Sequence, residues 1–176
     1  SKAHAIQNYI LAKDGNRPFL LNHAFAEDAT LAMELQTQAI AFPSALSGRD
    51  AIADVLVRQF NQKFENIYTL CIGDPNEVQE ENYRCPWLVV MTDKQDDSLR
   101  IGCGVYDWRF RATDNRVRAL TITIDMMETA PATSTTDVMT WVSGLPYPWC
   151  ELSAAADKAP DVAAVRRVLG HLQGMD

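Results

Sequence analysis

The sequence predicts an α+β fold, with helices first and a curved, mostly antiparallel sheet after them, on three observations. Apolar residues recur at helical spacing in two N-terminal stretches and again after Gly48. Four segments between Ile67 and Met126 are rich in β-formers and joined by short turns. One earlier alternating segment, Thr30 to Thr37, stands among the helices. Strands joined as successive hairpins, with helices segregated before them, make one sheet covered by helices on one side.

In the first helix, Ala3 to Lys13, the residues Ile6, Tyr9, Ile10 and Lys13 recur at helical spacing. Asp14-Gly15-Asn16-Arg17-Pro18 ends it, and Pro18 suits the first turn of a second helix carrying Phe19, Leu20, Leu21, Ala24 and Phe25 to about Glu27. Leu31, Met33 and Leu35 alternate with Ala32, Glu34 and Gln36 in the first strand. A connection containing Pro43 leads to Ser47, which with Asp50 resembles a capping box for the third helix. That helix presents Ile52, Val55, Leu56, Gln59, Phe60 and Phe64 as one stripe, with Arg49, Asp54, Arg58 and Gln62 away from it. The later strands are Ile67 to Ile72, Tyr83 to Thr92, Leu99 to Arg111 and Val117 to Met126, and Pro86 marks a bulge or an edge in the second of these.

The chain therefore divides into a core domain, residues 1–128, and a C-terminal helical extension, residues 129–176. The extension holds a linker, a short helix from Thr135 to Val142 capped by Ser134, the segment Gly144 to Cys150, and a helix from Pro160 to about Leu172. It is too small for an independent domain and is expected to pack on the core or on a dimer partner. Tyr147 and Trp149 are expected either to lid a pocket mouth or to cross to the other subunit.

Charge and composition narrow the function. A net charge of −7 with scattered Lys and Arg argues against a nucleic-acid partner. Arg109, Arg111, Arg116 and Arg118 surround one hairpin and read as a sheet-face ladder or a dimer contact. Apolar runs such as Trp87 to Met91 fall far short of the ~20 residues of a membrane span, and Ser1 to Asn8 lacks the apolar stretch of a secretion signal. No membrane partner is expected. Cys71, Cys85, Cys103 and Cys150 match no metal or redox spacing, and three of them fall in strands as small hydrophobes, which points to a reduced, cytoplasmic protein. The three histidines, His4, His23 and His171, are scattered, so no metal site is expected. With no phosphate-binding glycine loop and no Gly-x-Ser-x-Gly, no cofactor is expected.

The stretch Phe25-Ala26-Glu27-Asp28-Ala29-Thr30-Leu31, followed by Leu46-Ser47-Gly48-Arg49-Asp50-Ala51-Ile52, resembles the NTF2-like superfamily, which includes ketosteroid isomerases, scytalone dehydratase and the SnoaL-type polyketide cyclases. Tyr106-Asp107-Trp108-Arg109-Phe110, Leu120-Thr121-Ile122-Thr123-Ile124 and Leu145-Pro146-Tyr147-Pro148-Trp149-Cys150 look like a bacterial branch of it without an assigned activity. The resemblance implies a cone: three N-terminal helices packed on a strongly curved, mostly antiparallel sheet that encloses a pocket. Tyr9 stands sixteen residues before Phe25, the position of the catalytic Tyr in the isomerases. Three residues after Thr30, where those isomerases carry their general-base Asp, this chain has Met33, and a thioether accepts no substrate proton.

The second family acid corresponds to the strand around Tyr106. Two registers are open: Tyr106 inward with Trp108 and Phe110, or, with a one-residue bulge, Asp107 inward as an uncertain acid. The apolar-in, polar-out split favours Tyr106. Tyr9 and Asp107 are thus the candidate catalytic groups, and Tyr9, Met33, Phe60, Trp87, Tyr106 and Trp108 the candidate ligand-binding ones. The functional expectation is a small hydrophobic molecule bound between helices and sheet, with lyase, isomerase or cyclase chemistry by analogy. The alternative is a non-catalytic homodimeric module paired through the outer sheet face. A cavity of ~300 Å³ or more with convergent polar groups separates the two.

Overall fold

The computed structural model describes residues 1–175. Helix α1, Lys2–Gly15, buries Ile6, Tyr9, Ile10 and Lys13 and stops at Asn16, whose left-handed backbone (φ 53°) returns its N–H to the Ala12 carbonyl. Pro18–His23 then forms a single run of 3-10 helix, and the chain is extended from Phe25. Here the second predicted helix is corrected. Phe25 does not continue a helix, because its ring packs edge-on against Tyr9 with centroids 5.7 Å apart, and Val117 donates its N–H to the Ala24 carbonyl. Strand β1, Phe25–Leu35, pairs antiparallel with the short β2, Ala45–Ser47.

The third helix is α-helical at its ends, α2 (Arg49–Ile52) and α3 (Phe60–Lys63), and opens into a π-helix over Ala53–Gln59. The wider turn advances the buried face: Ile52, Ala53, Leu56, Val57 and Phe60 are buried and Gln59 is exposed. A pure 3.6-residue period had placed Gln59 on the stripe. The helix is capped by Gly48, with φ 93° and no side-chain bond, so the Ser47–Asp50 capping box does not form. Ser134 likewise makes no side-chain cap for its helix.

Strands β3 (Phe64–Ile72), β4 (Asn82–Asp93), β5 (Leu99–Phe110), β6 (Val117–Ala130) and β7 (Trp149–Cys150) complete a seven-stranded sheet in the order β2-β1-β6-β5-β4-β3-β7. The β1–β6 and β3–β7 pairs are parallel and the others antiparallel. Pro86 lies one residue beyond the last β3–β4 pair, Cys71 with Trp87, so its missing N–H falls where β4 has overrun its neighbour. The fold is the α+β cone with a curved sheet.

Two hydrophobic clusters lie on opposite faces of this sheet. The inner one joins α1 and the α2–α3 helix to Met33, Trp87, Tyr106, Trp108, Ile122 and their neighbours. The outer one joins Leu70, Leu88, Val90, Leu99, Ile101 and Cys103 to the C-terminal helices α4 (Thr135–Ser143), α5 (Leu152–Asp157) and α6 (Ala163–Gln173). Helix α6 is held to β6 by Arg167 on Glu128 and by His171 on Asp125. The four cysteines are buried and free. No helix among the described residues is long and apolar enough to cross a membrane.

Candidate functional site

The pocket is built from the buried face of α1 upward. Tyr9 stands at its centre, edge-on to Phe25, Tyr106 and Trp108 at ring separations of 5.5–5.9 Å. Alternation along β5 directs Tyr106, Trp108 and Phe110 inward, and Trp87 of β4 stacks on Tyr106 at 5.7 Å. Burial pushes the phenols of Tyr9 and Tyr106 far above their ordinary range, with the Tyr106 hydroxyl partly offsetting the effect on Tyr9. Both therefore remain hydrogen-bond donors across physiological pH.

One turn beyond Tyr9, the same helical face ends in Lys13, which is 6% exposed. Its ammonium donates to Asp14 Oδ1 at 2.9 Å and to Thr69 Oγ1 at 2.6 Å, and lies 4.8 Å from the centre of the Phe60 ring. Asp14 is bound from several sides: Thr69 donates its backbone N–H (2.7 Å) and its hydroxyl (2.9 Å), and Tyr147 donates its hydroxyl at 2.7 Å. Burial and the Asp14 charge push the Tyr147 phenol up as well. Asn61 fixes the helix end, donating to the Lys13 carbonyl at 2.7 Å. A buried ion pair is tolerated where each remaining polar group is satisfied, and Asp14 meets that condition.

These elements enclose a cavity lined by Tyr9, Lys13, Thr69, Trp87 and Tyr106 and by apolar side chains that include Met33, Met91 and Met127. Its volume is about 40 Å³, inside about 410 Å³ of atom-free space that includes its open mouth. That is room for a few waters and well below the ~300 Å³ of ordinary small-molecule sites. The cavity is thus smaller than the volume set above to separate the pocket reading from its alternative, because the rings of Tyr9, Tyr106 and Trp87 crowd it. A groove of about 190 Å³ adjoins the cavity, and Ile40, Phe42 and Phe60 line both. Phe42 is half-buried and stacks on Phe60 at 6.4 Å.

Of the residues singled out from sequence, Tyr9, Met33, Phe60, Trp87 and Tyr106 line the cavity. Trp108 does not: it is buried behind Tyr9 and Tyr106 as core. Asp107 stands on the outer face, 3.6 Å from Arg84, and strand alternation removes it from the pocket and from any acid role there. His23 is exposed, beside Phe19. Lys13, Asp14 and Thr69 were missed. The only sequence signal was Lys13 at the end of the apolar stripe, since Thr69 is 56 residues away. Among the described residues no carboxylate lines the cavity, and no three His, Cys, Asp or Glu side chains converge.

No protein-family model matches the chain, and no curated protein matches it by sequence. Solved structures do match. A protein with a ketosteroid isomerase-like fold from Catenulispora acidiphila, in complex with trimethylamine, is 15% identical over 67% of this chain and 82% of its own, with TM-score 0.54. An NTF2-like protein from Burkholderia xenovorans is 15% identical over 70% and 88%, with TM-score 0.52. An NTF2-like protein of unknown function from an Exiguobacterium species is 17% identical over 69% and 98%, with TM-score 0.51. At these identities the likeness is one of fold.

Proposed function

We propose that this NTF2-like cone binds a small hydrophobic molecule in the space between α1, the α2–α3 helix and the inner face of the sheet. The observation that carries the reading is the partition at the mouth. Ile40, Phe42 and Phe60 line both a narrow, polar-tipped cavity and the adjoining groove. Among the described residues, the backbone of residues 38–43 makes no hydrogen bond to another element, and the Ala39 N–H turns back to the nearby Thr37 hydroxyl. Displacing the Phe42 ring joins the two spaces, and the unbranched Met33, Met91 and Met127 repack readily around a guest. One protein of this fold was solved with a small molecule, trimethylamine.

The reading is retention of a ligand rather than isomerase-type proton transfer. Met33 faces the cavity where the isomerases carry their base, and Asp107 faces away. The test is a thermal-shift and NMR screen of apolar molecules against the wild type and Phe42→Ala. Binders are expected to raise stability with concentration, more strongly in the variant, and to be excluded by Met33→Trp. The reading fails if neither protein binds any compound, or if Met33→Trp binds the same ones.

A second reading, a homodimer, is favoured by the part of the outer face that α4–α6 leave open. Glu34, Arg84, Asp107, Arg109 and Thr121 form a groove there with both signs of charge. Light scattering at the mass of one 19.7 kDa chain would overturn it.

A further inference from the structure

Resting on the pocket reading, we infer that Lys13 is the ligand anchor, and that the group it takes is a neutral hydrogen-bond acceptor, such as a ketone or ester carbonyl, rather than an anion. Of the polar side chains that line the cavity, Lys13 can only donate, and the Tyr9 and Tyr106 hydroxyls can donate beside it. Lys13 spends two bonds on Asp14 and Thr69, and its ammonium has a third N–H to give. Trp87 lines the same cavity, and its indole N–H is sealed in the protein without a partner among the described residues, as are those of Trp108 and Trp149. A buried donor left unpaired costs about 1–3 kcal/mol, so an acceptor that enters the cavity and shifts the Trp87 ring enough to meet its N–H recovers that cost. The lone pairs nearest Lys13 are already engaged: the Thr69 hydroxyl accepts from Lys13 while donating to Asp14.

The charge balance selects neutral over anionic. Asp14 already neutralises Lys13, and its two oxygens together accept from Lys13, from Thr69 twice and from Tyr147, so neither partner is free to leave. A carboxylate entering this apolar cavity would be a surplus buried charge, which low polarity penalises heavily. A carbonyl brings a dipole and two lone pairs without that cost, and the Lys13–Asp14 dipole is preoriented toward it.

The experiment uses the full chain and three matched probes, acetophenone, benzoate and ethylbenzene, with dissociation constants read from NMR titration and the indole N–H signal of Trp87 as the local reporter. Acetophenone is expected to bind about tenfold more tightly than either other probe and to move the Trp87 signal. Lys13→Met should bring acetophenone and ethylbenzene within about twofold of each other. Because that variant strands Asp14, Lys13→Met with Asp14→Asn is measured beside it, and the same loss of preference is expected. Equal binding of ketone and hydrocarbon by the wild type, or a preference that survives both substitutions, overturns the anchor while the pocket stands. Tighter binding of benzoate overturns the neutral-acceptor assignment. If no probe binds, the pocket reading falls and the anchor with it.

Discussion

Asp14 shows how much one side chain can hold. In the last turn of α1, it neutralises a buried ammonium and ties the helix to β3 through Thr69 and to the C-terminal segment through Tyr147. Removing one partner of a buried ion pair costs about 3–5 kcal/mol, so Asp14→Ala should lower the unfolding free energy by about that much in urea titration. Asp54→Ala, which breaks an exposed pair with Arg58 on the π-helical segment, should cost under about 0.5 kcal/mol by the same measurement. Tyr9 carries a pH signature. Its phenol is raised by burial, so the stability it contributes is full below about pH 10, where an unfolded tyrosine ionises, and is lost as pH climbs toward the higher folded value. Above pH 10 the unfolding free energy should fall, and Tyr9→Phe should make that fall shallower by about 1.4 kcal/mol per pH unit. Much of this was legible in sequence: Tyr9 by its spacing to Phe25, and Tyr106 by strand alternation. Asp14 was read as a helix breaker because its partners come from elements far along the chain.

Among the elements, β5 and the segment before β7 are each held by close backbone contacts with a neighbouring strand. A bulge between Cys103 and Gly104 lets the Thr123 carbonyl approach so closely that a Cβ on Gly104 would meet it at 1.8 Å. The obstacle is backbone, so Gly104→Ala should destabilise by about 3 kcal/mol, measured by chemical denaturation. The Tyr147 segment lies along β3, where Cys71 donates to the Pro148 carbonyl and Gly73 to that of Cys150. Tyr147→Phe should accelerate hydrogen exchange at the Cys71 and Gly73 amides with little change in global stability, since its hydroxyl bond is partly exposed. The π-helical segment was not legible from periodicity. A wide turn is selected by packing across the sheet, and the sequence carries only a four-residue spacing of Ile52, Leu56 and Phe60, which an α-helix shares.

In the whole molecule, the sheet is covered on both faces by one chain. Helices α4–α6 bury Leu70, Leu88, Val90, Leu99 and Ile101 on the outer side, leaving a charged remainder over β1, β6 and the end of β5. A chain ending at Ala130 bares that apolar face. It should bind a hydrophobic dye and self-associate in light scattering, whereas the full chain should not bind the dye.

By itself the sequence determined the α+β class, the succession of the long strands from Ile67 to Met126, and which strand residues face inward. These follow from periodicity, a local property that each segment carries whatever it packs against. The tertiary structure alone decided three further things: that Lys13 and Asp14 meet Thr69 and Tyr147, that the cavity is small because aromatic rings fill it, and that the outer face is covered by the C-terminal helices. Each depends on distances between segments remote in sequence. Burial free energy summed over the fold sets those distances, and no single segment encodes them.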